Sequence, residues 1–357
     1  MRNFASALAA VFPVLALLIL VGAITFGADA YGTTSIARTV TEALILIVTV
    51  VGLYIFVGNT GILSLGHTGF MAIGAYASAW ATCCPALKQY TMTGLPPFLL
   101  DHTYPVLTAA LGAGVLALLA GLVIGAVLMR LSGVAATIAT LAVLFIVHVT
   151  YSNWESVTRG KGSLVGLPTY VEPKVAFAWA AVAIIAAWIY QTSRFGLAVR
   201  AAREDEVAAR ACGVNIYVER VIAFVLSAFF VGIGGVLHAH YLGTLQIDNY
   251  FLDMTLITLA MLVIGGQRSL AGAVVGVLAI SFFVEALRQL ENGVSIGGVD
   301  VALPNGAQQL ALALAMLVCL ILRPSGLMGG RELTLPWPRR NPRPPRDPEG
   351  EVARSGA

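Results

Sequence analysis

Long runs of apolar residues, separated by short polar segments, repeat along this chain. Of its 357 residues, 58% are hydrophobic and only 11% are charged. A soluble domain carries roughly 25% charged residues, whereas a run of about 20 apolar residues is long enough to cross a bilayer as a helix. Because a helix satisfies its own backbone polar groups inside lipid, these runs predict an all-α, polytopic transmembrane bundle.

The apolar runs divide the chain into about ten spans. They cover residues 4–27, 40–57, 71–84, 105–129, 134–150, 174–192, 218–242, 253–265, 270–288 and 307–322. We assign residues 1–330 to one transmembrane domain and the Pro- and Arg-rich residues 331–357 to a disordered tail. Ala28-Asp-Ala30 resembles a signal-peptidase site, but the preceding run exceeds a signal-peptide core, so we expect a retained first helix.

Basic residues predict the orientation of these spans. With the N-terminus inside, only six of the 21 Lys and Arg residues lie outside, and the other 15 lie in cytoplasmic segments. The six are Arg38, Lys88, Arg159, Lys161, Lys174 and Arg288. Since cytoplasmic loops carry the excess of positive charge, both termini and the segment Ser193–Gly213 are predicted to be cytoplasmic.

Ser193–Gly213 is a charged interruption between two apolar runs. Arg200–Cys212 contains neither Gly nor Pro and is rich in Ala, and Gly213 stands where a helix commonly ends. We therefore predict one short helix over residues 199–213. At 100° per residue, its small side chains share one side with Asp205: Ala201, Ala202, Ala208, Ala209 and Cys212. The opposite side carries Arg200, Arg203, Glu206, Val207 and Arg210.

A face of small side chains allows another surface to approach closely and is poorly suited to burial in lipid. The pattern therefore predicts that the helix docks on a partner protein. The alternative is a solvated linker helix that is stabilised by pairs such as Glu206 with Arg210.

The segment Gly58–Phe70 interrupts the apolar sequence after the second span. Non-helical backbone at membrane depth occurs only where protein or a water-filled cavity satisfies its polar groups, and such breaks often line transport pathways. The candidate pathway residues are Gly58, Asn59, Gly61, Ser64, Gly66 and His67. The alternative is an ordinary cytoplasmic loop with close helix packing at its glycines.

Metal and catalytic sites are not expected. The four cysteines lack metal-ligand spacing, and His238 and His240 point in different directions on a helix. Gly160-Lys-Gly-Ser163 lacks the spacing of a phosphate-binding loop, and no HExxH motif occurs. We expect no cofactor bound by this chain, so the energy for transport would come from a partner or an ion gradient. The net charge is only +3, and we expect the lipid bilayer as a partner and no nucleic acid.

Several motifs resemble those of LivM-type permease subunits of branched-chain amino acid ABC importers, the LivH/LivM permease family. These motifs are Gly58–Tyr76, Ser193-Arg-Phe-Gly196, Arg203-Glu-Asp-Glu206, Ala208-Ala209 through Gly213, Val263-Ile-Gly-Gly266 with Ser269-Leu270, and Pro324-Ser-Gly-Leu327. They occur in the order of the family, and the resemblance covers roughly residues 35–330.

The resemblance implies a complex in the bacterial inner membrane. It would contain a LivH-like sister permease and two cytoplasmic ATPases, which use ATP and Mg²⁺, and a periplasmic binding protein would deliver leucine, isoleucine or valine. Relatives also import urea, short amides and aromatic acids. The ATPase-coupling residues implied here are Arg200, Arg203, Glu204, Asp205, Glu206, Ala208, Ala209 and Gly213. A self-sufficient secondary carrier is the other alternative, but the spans lack the buried carboxylates common in ion-coupled carriers.

Overall fold

A computed structural model describes residues 2–332, except residues 33, 84, 292–293, 297–298, 302–306, 324 and 331. Residues 333–357, which form most of the predicted tail, lie outside the described part of the chain. Within it, helices account for nearly all regular structure.

The α-helices of the described residues are, in chain order, α1 (Arg2–Tyr31), α2 (Thr34–Thr60), α3 (His67–Thr82), α4 (Pro85–Thr91), α5 (Pro97–Leu100), α6 (Val106–Leu128), α7 (Gly133–Asn153), α8 (Glu155–Thr158), α9 (Pro173–Thr192), α10 (Arg194–Glu204), α11 (Glu206–Ala211), α12 (Ile216–Leu242), α13 (Leu252–Gly265), α14 (Leu270–Glu291) and α15 (Ala307–Leu322). Two small antiparallel pairs join β1 (Leu164–Val165) to β2 (Thr244–Leu245) and β3 (Val294–Ile296) to β4 (Val299–Val301). A 3-10 turn at Ile247–Tyr250 precedes α13.

Eight of these segments are long and apolar enough to cross a membrane: α1, α2, α6, α7, α9, α12, α14, and α13 together with its preceding 3-10 turn. The helices α3 and α15 correspond to the other two predicted spans. Each has 16 residues and is shorter than any of the eight segments. The prediction of an all-α, polytopic membrane protein is confirmed.

Helix α2 lies at the centre of the bundle, and 94% of its most apolar stretch is buried. Because it is apolar on every side, it is enclosed by other helices and has little lipid-facing surface. Helix α12 packs against α2, α3 and α6. The backbones of α3 and α12 meet at Gly74 and Gly232, where a side chain on Gly74 would collide with the Gly232 carbonyl. Ser227 of α12 also donates a 2.6 Å hydrogen bond to the Gly52 carbonyl of α2.

Helix α6 combines a small-residue face with a lipid-facing one. A Cβ on Gly121 would lie 2.7 Å from the Ala228 Cβ, and one on Gly125 would lie 2.8 Å from the Phe224 Cδ1, both on α12. Small residues at this spacing let two membrane helices pack closely. Val123 and Val127 point away from the bundle, with exposed fractions of 71% and 67%. An apolar surface of this kind fits contact with acyl chains.

Contacts between connections show that successive spans alternate in direction. Arg203 of α10 reaches the end of α2 at Gly58, and Thr137 near the start of α7 donates to the Leu63 carbonyl. We call this side of the bundle the α10 end. At the opposite side, Tyr241 near the end of α12 donates to the Arg38 carbonyl near the start of α2. The predicted up-and-down arrangement therefore agrees with the contacts, and the membrane side of each end stays a prediction.

Candidate coupling site

The predicted continuous helix over residues 199–213 is wrong, because the chain leaves helical geometry at Asp205 (φ −152°, ψ 109°). The Asp205 carboxylate accepts hydrogen bonds from the amides of Val207 (2.8 Å) and Ala208 (3.0 Å), at the start of α11. An Asp side chain accepts hydrogen bonds from the free amides at the start of a helix. Here this cap interrupts the helix, although the surrounding alanines have a high helix propensity. Gly213, with φ +83°, follows the end of α11.

The break divides the small-residue face that the sequence predicts. Ala202 and Ala209 are buried, with exposed fractions of 2% and 5%, and form a small cluster with Ile216. Ala208 stays exposed, and Val207, predicted on the opposite side, is 79% exposed. Ala209 therefore packs within this chain and does not belong to an outward face. The exposed tip of α11, which we define as Val207, Ala208 and Ala211, is small and uncharged.

The other predicted coupling residues hold this segment together. Glu206 forms ion pairs with Arg210 (3.4 Å) and with the buried Arg220 of α12. Arg203 pairs with Glu204 (2.9 Å), whose side chain is 65% exposed. An exposed pair contributes little, roughly 0–1 kcal/mol. The Glu206–Arg220 contact, with one partner buried, is the stronger anchor of α11 on α12.

Arg203 also connects the predicted coupling residues with the candidate pathway residues. Its Nη1 donates a 2.6 Å hydrogen bond to the Gly58 carbonyl, at the last turn of α2. Its aliphatic stem lies over Gly61, where a Cβ would come within 2.7 Å of the Arg203 Cγ. Gly61 has φ +74°, a left-handed conformation that glycine adopts without steric cost. One side chain therefore bridges the charged segment and the break after α2.

A second connection lies beside the first. The Tyr54 hydroxyl of α2 donates to Gln191 Oε1 (2.7 Å), and an Arg200 guanidinium nitrogen donates to the Gln191 carbonyl. Gln191 stands in the last turn of α9, so α2, α9 and α10 meet at this residue. Tyr54 and Gln191 belong to no polar interruption of the sequence, so no motif identifies them.

The candidate pathway residues Gly58, Asn59, Ser64, Gly66 and His67 are buried, and Gly61 is exposed. The chain is non-helical from Gly61 to Gly66, so the predicted break between two spans is present. A side chain on Gly66 would collide with the Thr140 carbonyl of α7, and the Leu65 amide donates to Thr140 Oγ1 (3.2 Å). The break is therefore satisfied by protein groups, as backbone at membrane depth requires.

His67 begins α3 inside an aromatic cage. Its ring lies 5.4 Å from Phe56, 6.0 Å from Phe70 and 5.1 Å from Phe224, between ring centroids. Its Nδ1 is 2.6 Å from Ser64 Oγ, while its Nε2 is buried without a hydrogen-bond partner. The Asn59 amide donates to the Ile55 carbonyl (3.0 Å), and its Oδ1 is likewise unpartnered. These two buried polar atoms are free to bind a polar group if the break opens.

A carboxylate from the predicted tail reaches the α10 end. Glu332 accepts hydrogen bonds from the amides of Leu270 (2.8 Å) and Ala271 (3.3 Å), and so caps the N-terminus of α14. The preceding residues fold back on the α13–α14 turn, because the Leu327 amide donates to the Ile264 carbonyl (2.8 Å).

A charged recess lies at the opposite side of the bundle, between α2, α13 and α14. Its volume is about 200 Å³, and Glu42, Glu285 and Arg288 are among the residues that line it. Glu285 and Arg288 form an ion pair, with 2.6 Å between Oε2 and Nη2. The contribution of Glu42 was not found from sequence, since it stands alone in an apolar run.

The described residues hold no cluster of three or more metal-binding side chains. His238 Nδ1 faces the Tyr250 hydroxyl (3.1 Å), and His240 Nδ1 faces the Pro168 carbonyl (3.0 Å), so the two rings diverge as predicted. The sequence does contain one Gly-x-Ser-x-Gly pattern at residues 293–297. Its Ser295 lies in the β3–β4 hairpin and not at the strand-to-helix turn that a nucleophile elbow needs.

Comparison with known proteins identifies the architecture. A family described as "Branched-chain amino acid transport system / permease component" matches residues 35–322. The chain belongs to this family. It is 26% identical over 333 residues to the high-affinity branched-chain amino acid transport system permease protein LivM of Escherichia coli K12, covering 83% of this chain and 70% of that protein.

The permease is also similar to the LivM protein of Salmonella typhimurium, at 26% identity over 81% of this chain and 68% of that protein. The guanosine ABC transporter permease protein NupQ of Bacillus subtilis is 26% identical over 82% of this chain and 92% of that protein. No solved structure matches the permease at a significant level. The resemblance to LivM-type permeases is confirmed, and the chain is a multi-pass permease subunit of the ABC-transporter type.

Proposed function

We propose that the permease carries branched-chain amino acids across the bacterial inner membrane, in a complex with a LivH-like sister permease and two ATPases. A periplasmic binding protein would deliver the solute. The α10 end would face the cytoplasm, and both termini would lie in the cytoplasm as well, as the distribution of Lys and Arg predicts. This chain would bind neither ATP nor Mg²⁺, and both would be used by the ATPases.

The observation that carries this proposal is the bridge formed by Arg203. The exposed tip of α11 offers a small, uncharged surface, and α10 connects it to the break after α2 through the Arg203–Gly58 hydrogen bond. A rigid displacement of α10 and α11 by an ATPase would therefore act directly on Gly58–His67. Tyr54 and Gln191 would transmit the same movement to α2 and α9.

The charged recess favours an amino acid over a nucleoside. Carboxylates and a guanidinium bind the ammonium and carboxylate groups of a zwitterion through charge-assisted hydrogen bonds. Glu42, Glu285 and Arg288 supply both types of group beside apolar residues such as Leu46 and Met261. A neutral nucleoside such as guanosine, which NupQ is named for, has no such pair of charges.

The test is uptake in proteoliposomes that contain the permease with its sister permease, ATPases and binding protein. We expect ATP-dependent leucine uptake that falls in Glu42→Gln and is unchanged in Glu172→Gln, an exposed carboxylate outside the recess. Uptake of guanosine, urea or an aromatic acid in place of leucine would refute the proposal that the permease carries branched-chain amino acids. Uptake by the purified chain alone, driven by a proton or sodium gradient, would refute the ABC-importer mechanism.

A further inference from the structure

A second recess lies at the α10 end, between the end of α6, helix α11 and the start of α12. Its volume is about 240 Å³, and it is lined by Met129, Arg130, Arg210, Ile216, Tyr217 and Arg220. We call it the arginine recess. None of the motifs that resemble the LivM-type family includes Arg130 or Tyr217.

The arginine recess has an excess of positive charge. Three arginines line it, and Glu206 is the carboxylate that pairs with Arg210 and Arg220. Arg130 is exposed and forms no ion pair with any of the described residues. Guanidinium groups donate to phosphate oxygens in a geometry that matches two bonds at once. The recess can therefore bind a phosphate group that carries at least one negative charge.

Exposed apolar side chains surround the arginine recess. Val127 of α6, Leu131 of the α6–α7 turn and Val134 of α7 flank Arg130 in sequence, and their exposed fractions are 67%, 41% and 75%. Tyr217 donates a 2.8 Å hydrogen bond to the Ala126 carbonyl, and its ring remains partly exposed. Aromatic side chains of this kind stand at the level of lipid headgroups. A ligand in the recess would have apolar side chains beside it, as a phospholipid with acyl chains requires.

We propose that the arginine recess binds the phosphodiester headgroup of an anionic phospholipid. The phosphate lies against Arg130 and the outer faces of Arg210 and Arg220, and the acyl chains pack on Val127 and Val134. Basic pockets between membrane helices bind anionic headgroups in this way. Because Arg210 belongs to α11 and Arg130 follows α6, an occupied recess fastens the coupling segment to the bundle.

The test is native mass spectrometry of the purified full-length permease in detergent. The protein is titrated with phosphatidylglycerol, with phosphatidylcholine and with inorganic phosphate. We expect phosphatidylglycerol to bind the wild-type protein. In Arg130→Gln, its dissociation constant should rise about fivefold, as the loss of about 1 kcal/mol per surface cation implies. Arg130→Lys should retain most of the affinity, and Arg268→Gln, an exposed arginine at the same end, should leave it unchanged.

Three outcomes would overturn the proposal. Equal binding of phosphatidylglycerol by the wild-type protein and Arg130→Gln would show that the recess does not hold the headgroup. Binding of inorganic phosphate that depends on Arg130 and displaces the lipid would make free phosphate the ligand. Loss of ATPase assembly in Arg130→Gln, with lipid binding intact, would assign the recess to an acidic surface of the ATPase. A thermal denaturation curve of each variant checks that the chain is folded.

Discussion

Replacing Arg203 by Met is the sharpest perturbation that the coupling site offers. Met keeps an unbranched apolar stem to lie over Gly61 but cannot donate a hydrogen bond to the Gly58 carbonyl. The variant therefore removes the polar connection between α10 and the end of α2 and leaves most of the packing. The Tyr54–Gln191–Arg200 connection stays in place.

The expected magnitude follows from the hydrogen bond that is lost. A hydrogen bond from a charged donor contributes about 1.5–3 kcal/mol, and the Arg203 side chain is 17% exposed, which favours the lower part of that range. A loss of about 1.5–2 kcal/mol shifts the balance between the bridged and detached arrangements by roughly tenfold to thirtyfold. Since detachment breaks the route from α11 to the break, that factor is the upper limit on the loss of solute transport.

The assay measures leucine uptake and ATP hydrolysis in the same proteoliposomes. In Arg203→Met, we expect uptake to fall, by up to about tenfold to thirtyfold, while ATP hydrolysis persists, so that fewer solutes move per ATP. The matched control is Glu204→Gln, which breaks the exposed ion pair with Arg203 but leaves the Gly58 bond, and should change uptake less than about fivefold. If the two variants behave alike, or if Arg203→Met transports normally, the Arg203–Gly58 bridge is not the coupling route.

Three further predictions concern stability and local order. Gly61→Ala should lower the free energy of unfolding in detergent by about 1–2 kcal/mol, because an alanine is strained in the left-handed conformation of Gly61. A collision of the new Cβ with the Arg203 stem should lower it further. Gly133→Ala, also at positive φ but with open space around it, should lose only the backbone part, so equal thermal denaturation curves would contradict the contact. Asp205→Ala should cost about 1 kcal/mol and speed amide exchange in the first turn of α11, whereas Asp205→Asn should retain protection. Glu332→Ala should speed amide exchange at the start of α14 alone, and unchanged exchange there would refute the cap.

The bundle could be predicted from the sequence because the bilayer imposes its constraint locally. Each span must be apolar along its own length, and the break at Gly58–Phe70 is visible as an interruption of one run. The charged segment Ser193–Gly213 is visible for the same reason. These features need no knowledge of distant contacts, and the structure contains all of them.

The geometry of the coupling site could not be predicted in the same way. The break at Asp205 results from competition between helix propensity and a side-chain cap, and the frequency of Ala in the segment favours the wrong outcome. Ala209 is buried because α12 folds back against α11, which a helical projection of one segment does not represent. Arg203 and Gly58 are 145 residues apart, so no periodic pattern joins them.

The central claim is that an ATPase docks on the exposed tip of α11, and photo-crosslinking in the assembled complex tests it most directly. A photoreactive residue is placed at Val207 or Ala208, at the buried Ala209, or at Val134, which is exposed at the start of α7, away from α11 in the sequence. We predict covalent adducts with the ATPase subunit from Val207 and Ala208, and none from Ala209 or Val134. Adducts from Val134 but not from Val207 and Ala208 would show that the ATPase does not dock on the tip of α11.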